Sequence, residues 1–147
     1  MPITRMDNVL IVVEDLETTK AFFLALGMEL EGQAPVEGPF VDRLVDLDNV
    51  KCEIAMLRTP DGQGRIELDK FHSPAAVQSG PVDAPVNTFG IRRIMFAVDD
   101  LDATLASVRP LGAELVGEIT QYGDQYRLCY IRGPEGIMVA LAQDLRT

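Results

Sequence analysis

The sequence predicts an α+β chain built from two β-α-β-β-β modules in tandem, and three observations carry that expectation. The first is an ungapped internal repeat. VVEDLETTKAFFLALGMELEG at residues 12–32 and AVDDLDATLASVRPLGAELVG at residues 97–117 are identical at ten of 21 positions. The shared positions include Asp15/Asp100, Leu16/Leu101, Thr19/Thr104, Gly27/Gly112, Glu29/Glu114 and Gly32/Gly117, always 85 apart (97 − 12). The second is that the halves also end alike. TPDGQGRIEL at residues 59–68 matches RGPEGIMVAL at residues 132–141 with a one-residue gap. The third is the order of periodicities within each copy: a short apolar run, a helical stretch, then alternating strand-like segments.

Each element follows from local chemistry. The apolar runs at residues 9–13 and 94–98 read as buried strands. Asp15 and Asp100 then offer a carboxylate to the first turn of a helix, as N-caps do. The helices are expected over residues 16–26 and 101–111, with Ala21, Phe22 and Ala25 giving the first its apolar face. Gly27 and Gly112 follow at the position where a left-handed conformation costs glycine little. Three strands are expected next in each half. In the first they are residues 28–35, 40–55 (with a turn near Asp48-Asn49) and 65–71; in the second, 113–121, 125–132 and 137–142. Pro-Asp-Gly and Pro-Glu-Gly mark the turns before the last strand of each half. The modules then span residues 5–71 and 90–144 of a single domain covering 1–147. Residues 72–89, with Pro74, Pro81 and Pro85 and no periodicity, form a linker or a lid.

Composition narrows the function classes. The chain has 147 residues, 47% of them hydrophobic, which supports a packed core and excludes wholesale disorder. No apolar run approaches the roughly 20 residues of a membrane helix, and MPITRMDN has no apolar stretch after Arg5, so no signal peptide is read there. The expected compartment is the cytoplasm. Thirteen Lys and Arg against 23 Asp and Glu leave a formal charge of -10, which argues against nucleic acid and anionic membrane as partners. Cys52 and Cys129 lie in apolar alternating stretches and read as small core residues of a reducing compartment. His72 is the only histidine, so a site with two or three histidine ligands cannot be built within one chain. No phosphate-cradling loop is present, since Gly62 to Gly64 lacks the Lys-Ser/Thr signature, and no Ser-His-Asp arrangement is read.

The stretches DNVLIVVEDLETTKAFFLALGMEL, RIELDKF, GIRRIMFAVDDLDATLASVRPLGAELVGE and YIRGPEGIMVAL, in that order and spacing, resemble the vicinal oxygen chelate superfamily. That family includes glyoxalase I, bleomycin-binding and fosfomycin resistance proteins and extradiol dioxygenases. The resemblance covers residues 5–144. It implies an open, barrel-like, eight-stranded mixed sheet around a cavity, and a homodimer. It also implies one divalent metal, held by a histidine on the first strand and a glutamate on the last strand of each module. Those four positions fall at Asn8, Glu67, Arg93 and Ala140. Only Glu67 matches. Asn8 is a weak carbonyl donor, Ala140 offers nothing, and Arg93 is a permanent cation where a divalent ion would sit. His72, five residues past Glu67, is expected outside the cavity. No metal and no cofactor are therefore expected.

Two readings stand for what remains. Glu67 and Arg93 form a buried ion pair left from the lost site, or Arg93 binds an anionic group of a ligand in a fork geometry. Arg43, Glu53, Met56, Tyr122, Tyr126, Arg127 and Tyr130 are further pocket candidates. Alternation puts Tyr126, Leu128 and Tyr130 on one strand face and Arg127, Cys129 and Ile131 on the other, without saying which lines a cavity. The expected function is binding of a small molecule, anionic or aromatic, by a bleomycin-resistance-like protein without the metal. The alternatives are a metal-independent lyase or isomerase with Glu67 as base beside Arg93, and a glyoxalase-like metalloenzyme of the lactoylglutathione lyase type with displaced ligands.

Overall fold

The computed structural model describes residues 2–146. The chain divides into two compact units between Gln78 and Ser79. The first runs β1 (Val9–Val12), α1 (Leu16–Leu26), β2 (Glu29–Glu37), α2 (Pro39–Val45), β3 (Lys51–Arg58) and β4 (Arg65–Ser73). The second runs β5 (Ile94–Ala97), α3 (Leu101–Val108), β6 (Glu114–Leu115), β7 (Thr120–Tyr122), β8 (Tyr126–Arg132) and β9 (Met138–Asp144). The first sheet has the order β1-β4-β3-β2, and the second β5-β9-β8-β6 with β7 also on β8. In both, the first strand lies parallel to the last and every other pairing is antiparallel. This is the α+β, tandem βαβββ arrangement read from the repeat.

The repeat is visible atom by atom. Asp15 accepts a hydrogen bond from the Thr18 amide and Asp100 one from the Ala103 amide, both at 3.0 Å. Thr19 and Thr104 donate their hydroxyls to the carbonyls of Asp15 and Asp100 at 2.9 and 2.8 Å. The two aspartate side-chain bonds satisfy amides that a helix start leaves unpaired. Gly27 and Gly112 both adopt the left-handed conformation expected of them. Each helix packs on one sheet face. In the first unit Leu16, Thr19, Phe22 and Phe23 are buried with Ala55, Leu57, Ile66 and Leu68. In the second, Leu101, Leu105 and Val108 are buried with Cys129, Ile131, Val139 and Leu141. Each fully buried Leu, Ile, Val or Phe contributes roughly 1.5–3 kcal/mol.

Several expected elements differ. Residues 40–55 are not one strand: α2 comes first, begun by Pro39 at its N-terminus. The Asp42 carboxylate then accepts from the amides of Asn49 and Val50 at 3.2 and 2.8 Å, which turns the chain into β3. The α1 face is carried by Phe22 with Leu16, Thr19 and Phe23, while Ala21 is exposed. Helix α3 stops at Val108 and tightens into a 3-10 turn over Arg109–Leu111. Pro110 has no N–H to continue an α ladder. The strand expected over 113–121 is broken into β6 and β7, so the described residues form nine strands in two sheets rather than eight. Strand β4 runs on to Ser73, so His72 is a strand residue. No helix among the described residues is long and apolar enough to cross a membrane.

Residues 82–84 of the expected linker are bound to the second unit. Arg132 donates from Nη1 to the Val82 and Gly136 carbonyls (3.0 and 3.2 Å) and from Nη2 to the Ala84 carbonyl (2.9 Å). Ala84 is buried. Gly136 has φ +79°, and a Cβ there would stand 2.0 Å from the Val82 oxygen. Only glycine combines that backbone with that approach.

Candidate functional site

Helix packing decides which sheet face is left for function. In the first unit, Ile66 and Leu68 of β4 turn towards α1, and alternation places Glu67, Asp69 and Phe71 on the opposite face. Glu67 lies in register with Leu10 of β1 and Met56 of β3. Asp69 lies in register with Val12 and Ile54. Two carboxylates thus stand side by side in an otherwise apolar row. Asp69 is only 5% exposed, and its Oδ1 is buried without a hydrogen-bond partner. Burial pushes its carboxyl up to about 7; a hydrogen bond with Glu67 and the charge of Glu67 act in the same direction.

In the second unit, Val139 and Leu141 of β9 and Cys129 and Ile131 of β8 are buried on the helix side. The other face carries Tyr126, Leu128 and Tyr130, in register with Asp144, Ala142 and Ala140. Arg93, one residue before β5, belongs to it. Its Nε donates to Tyr130 Oη at 2.7 Å, and its guanidinium carbon lies 5.7 Å from the Tyr130 ring centroid. A guanidinium held on an aromatic ring is oriented at little entropic cost. Arg93 is exposed, and among the described residues no carboxylate of its own unit pairs with it.

The registers make the two faces comparable. Leu10 pairs with Glu67 and Met95 with Ala140. Glu67 pairs with Met56 and Ala140 with Tyr130. The Val13 amide donates to the Asp69 carbonyl and the Val98 amide to the Ala142 carbonyl, at 2.9 and 2.8 Å. Ala140 and Ala142 therefore hold in the second module the places of Glu67 and Asp69 in the first, and Arg93 holds that of Asn8. The four positions do not suit a metal. Asn8 donates Nδ2 to Asp7 at 2.9 Å, Arg93 is cationic and seated on Tyr130, Ala140 is a buried methyl, and only Glu67 is an anionic donor. Among the described residues no group of three or more His, Cys, Asp and Glu is placed to hold a metal ion.

The other sequence-derived candidates scatter. Met56 and Tyr126 lie on the helix-free faces of their sheets. Tyr126 is covered by Arg146, whose guanidinium carbon is 4.8 Å from the ring. Tyr122 pairs with Tyr126 at the exposed end of that sheet. Arg127 is on the helix side, in a two-point ion pair with Asp102 of α3 at 2.9 and 3.1 Å. Glu53 also faces its helix side, accepting from Gln33, which in turn accepts from Lys20 of α1. Arg43 is exposed on α2. His72 is exposed, and alternation puts it opposite Glu67. Cys52 and Cys129 are buried thiols whose ionisation burial pushes up, as small core residues require. Sequence reasoning passed over Asp69. Its signal was present in RIELDKF, where Glu67 and Asp69 are two apart and must share a strand face. It also passed over Tyr130 as the seat of Arg93.

Comparison with known proteins agrees with this architecture. A glyoxalase family protein from Bacillus cereus has the same fold with a TM-score of 0.93 and 48% identity, over 99% of this chain and 97% of that one. Uncharacterized protein YwbC of Bacillus subtilis (strain 168) is 28% identical over 142 residues, 95% of this chain and 97% of its own length. TnmS3, an antibiotic binding protein from Streptomyces sp. CB03234, shares the fold alone: TM-score 0.61, 20% identity, 98% of both chains. The family model for the Glyoxalase/Bleomycin resistance protein/Dioxygenase superfamily matches residues 5–141. With that match over nearly its whole length and the tandem βαβββ modules that carry it, the chain belongs to the Glyoxalase/Bleomycin resistance protein/Dioxygenase superfamily.

Proposed function

We propose that this chain is a metal-free, small-molecule-binding member of its family. One observation carries the reading: the helix-free sheet faces persist while the four family ligand positions read Asn8, Glu67, Arg93 and Ala140. The second module supplies the polar anchor. Arg93, oriented by Tyr130, presents a cation beside an aromatic ring, a combination that suits a carboxylate on a flat or aromatic body. Arg127, bound to Asp102 on the helix side, takes no part, and Arg43 and Tyr122 are left to the surface.

The test is an NMR titration with benzoate. Arg93 and Tyr130 amide resonances should shift saturably. Arg93→Ala should weaken binding by about tenfold, the worth of one charge-assisted hydrogen bond. Unchanged affinity in Arg93→Ala overturns the anchor.

A second reading is favoured by Glu67 and Asp69 sharing one strand face, where burial holds the Asp69 carboxyl up to about 7. A carboxyl shared with a neighbouring carboxylate can take up and return a proton, so Glu67 serves as the base of a metal-independent isomerase or lyase. Solvent-deuterium exchange into an enolisable carbonyl compound, abolished in Glu67→Gln, distinguishes it from binding alone.

A further inference from the structure

We propose that Glu67 and Asp69 form the recognition point for an organic ammonium, the charged end of a small alkyl- or arylamine. The inference rests on the reading that the helix-free faces bind small molecules, and it names a ligand class for the first of them.

Three observations converge on it. Asp69 Oδ1 is buried and has no donor. A buried carboxyl oxygen without a partner is costly, and such an orphan in a folded chain calls for an explanation, of which a bound ion or ligand is one. Next, among the described residues no ion pair joins Glu67 or Asp69 to a cation of the first unit. Lys70 turns to the other face of β4 and bonds Glu14, Arg65 is held by Glu31 and Asp7, Arg58 by Glu29 and Lys20 by Glu17. Finally, the register neighbours are apolar: Leu10 and Met56 beside Glu67, Val12 and Ile54 beside Asp69, with Phe71 two residues on.

The chemistry selects the ligand. Two adjacent carboxyl groups repel an anion and give a neutral hydroxyl only one donor to share. They leave most of the six or more oxygen ligands of a hard divalent cation to water, which the apolar row of Leu10, Val12, Ile54 and Met56 does not favour. A primary ammonium has three N–H donors, enough for both carboxyl groups, and its hydrocarbon body suits Leu10, Val12, Ile54 and Met56. The formal charge of -10 raises the local concentration of such cations.

The experiment compares three probes of one size on the intact chain: benzylamine, benzyl alcohol and benzoate, each titrated while amide resonances are recorded. Benzylamine should shift the Val12, Ile54 and Asp69 resonances saturably, at least about tenfold more tightly than benzyl alcohol. Asp69→Asn and Glu67→Gln should each abolish that preference, while Glu118→Gln, an exposed carboxylate of the second unit, should leave it intact. Benzylamine binding no tighter than benzyl alcohol overturns the inference, whether or not the variants fold. So does a preference that survives Asp69→Asn or falls equally with Glu118→Gln. Benzoate reports separately on the Arg93 anchor. Saturable benzoate binding with no amine preference leaves small-molecule binding standing and removes only the ammonium site.

Discussion

Glu67 and Ala140 occupy one place in two sheets. Glu67 pairs with Leu10 and Ala140 with Met95, and Leu10 and Met95 are themselves equivalent in the repeat. The duplication kept the backbone hydrogen bonding and let the chemistry diverge. One module holds an acid pair at Glu67 and Asp69; the other holds Ala140 and Ala142 there and a guanidinium on a tyrosine at Arg93 and Tyr130. Packing on the helix side tolerates this, because these side chains lie on the face that α1 and α3 do not cover.

The first prediction concerns metal. After incubation with nickel, zinc, manganese or iron(II) salts and desalting, native mass spectrometry should show the bare chain. One carboxylate among the four family positions cannot retain such an ion. Retention of one ion per chain would show that ligands other than Asn8, Glu67, Arg93 and Ala140 assemble.

A second prediction follows from the proton on Asp69. Its folded-state value of about 7 lies above the unfolded value of 3.8, so the native chain holds a proton that the unfolded chain has released between those limits. The stability from this group is fully present below about pH 4 and is lost as pH rises through about 7. Urea midpoints of wild type and Asp69→Asn should differ least near pH 4 and most near pH 8, with the wild type losing more as pH rises. Parallel profiles would place the carboxyl in an ordinary environment.

The third prediction tests the docked segment. Gly136→Ala forces a left-handed alanine and drives its Cβ against the Val82 carbonyl. A loss of about 2 kcal/mol or more is expected. Arg132→Lys keeps the charge but not the fork that reaches Val82, Ala84 and Gly136 together. Limited proteolysis should then cut within residues 79–91 faster than in wild type. An unchanged cleavage rate in both variants means the segment is held by other contacts.

Asp15→Ala and Asp100→Ala form the fourth. Each removes an N-cap acceptor bonded at 3.0 Å, in equivalent places of the two modules. Each should cost about 1 kcal/mol in urea unfolding. A negligible cost in one alone would show that the modules do not rely equally on their first helices.

Much of the fold was legible because it rests on short-range chemistry. An aspartate that caps a helix does so three residues away, and a glycine adopts a left-handed backbone on its own account, so both copies declared their helices in the sequence. The α2 helix was harder. Its seven residues are framed by Gly38-Pro39 and by Asp42 bonds to Asn49 and Val50, a closure across seven or eight positions that periodicity does not register. Pro110 had the same effect in reverse, cutting an expected helix short.

The candidate site divides in the same way. From the sequence alone came the tandem modules, the capped helices and the turns. All of these are properties of residue identity, local hydrogen bonding and spacing. Only tertiary structure decided which face of each sheet the helix covers, which sent Arg127 to Asp102 and Tyr130 to Arg93 although the two alternate on one strand. It also decided that Asp69 is buried with an unpaired oxygen beside Glu67. Burial and pairing depend on residues brought together from distant parts of the chain, and a strand that is amphipathic on both faces carries no local signal of which side will be covered.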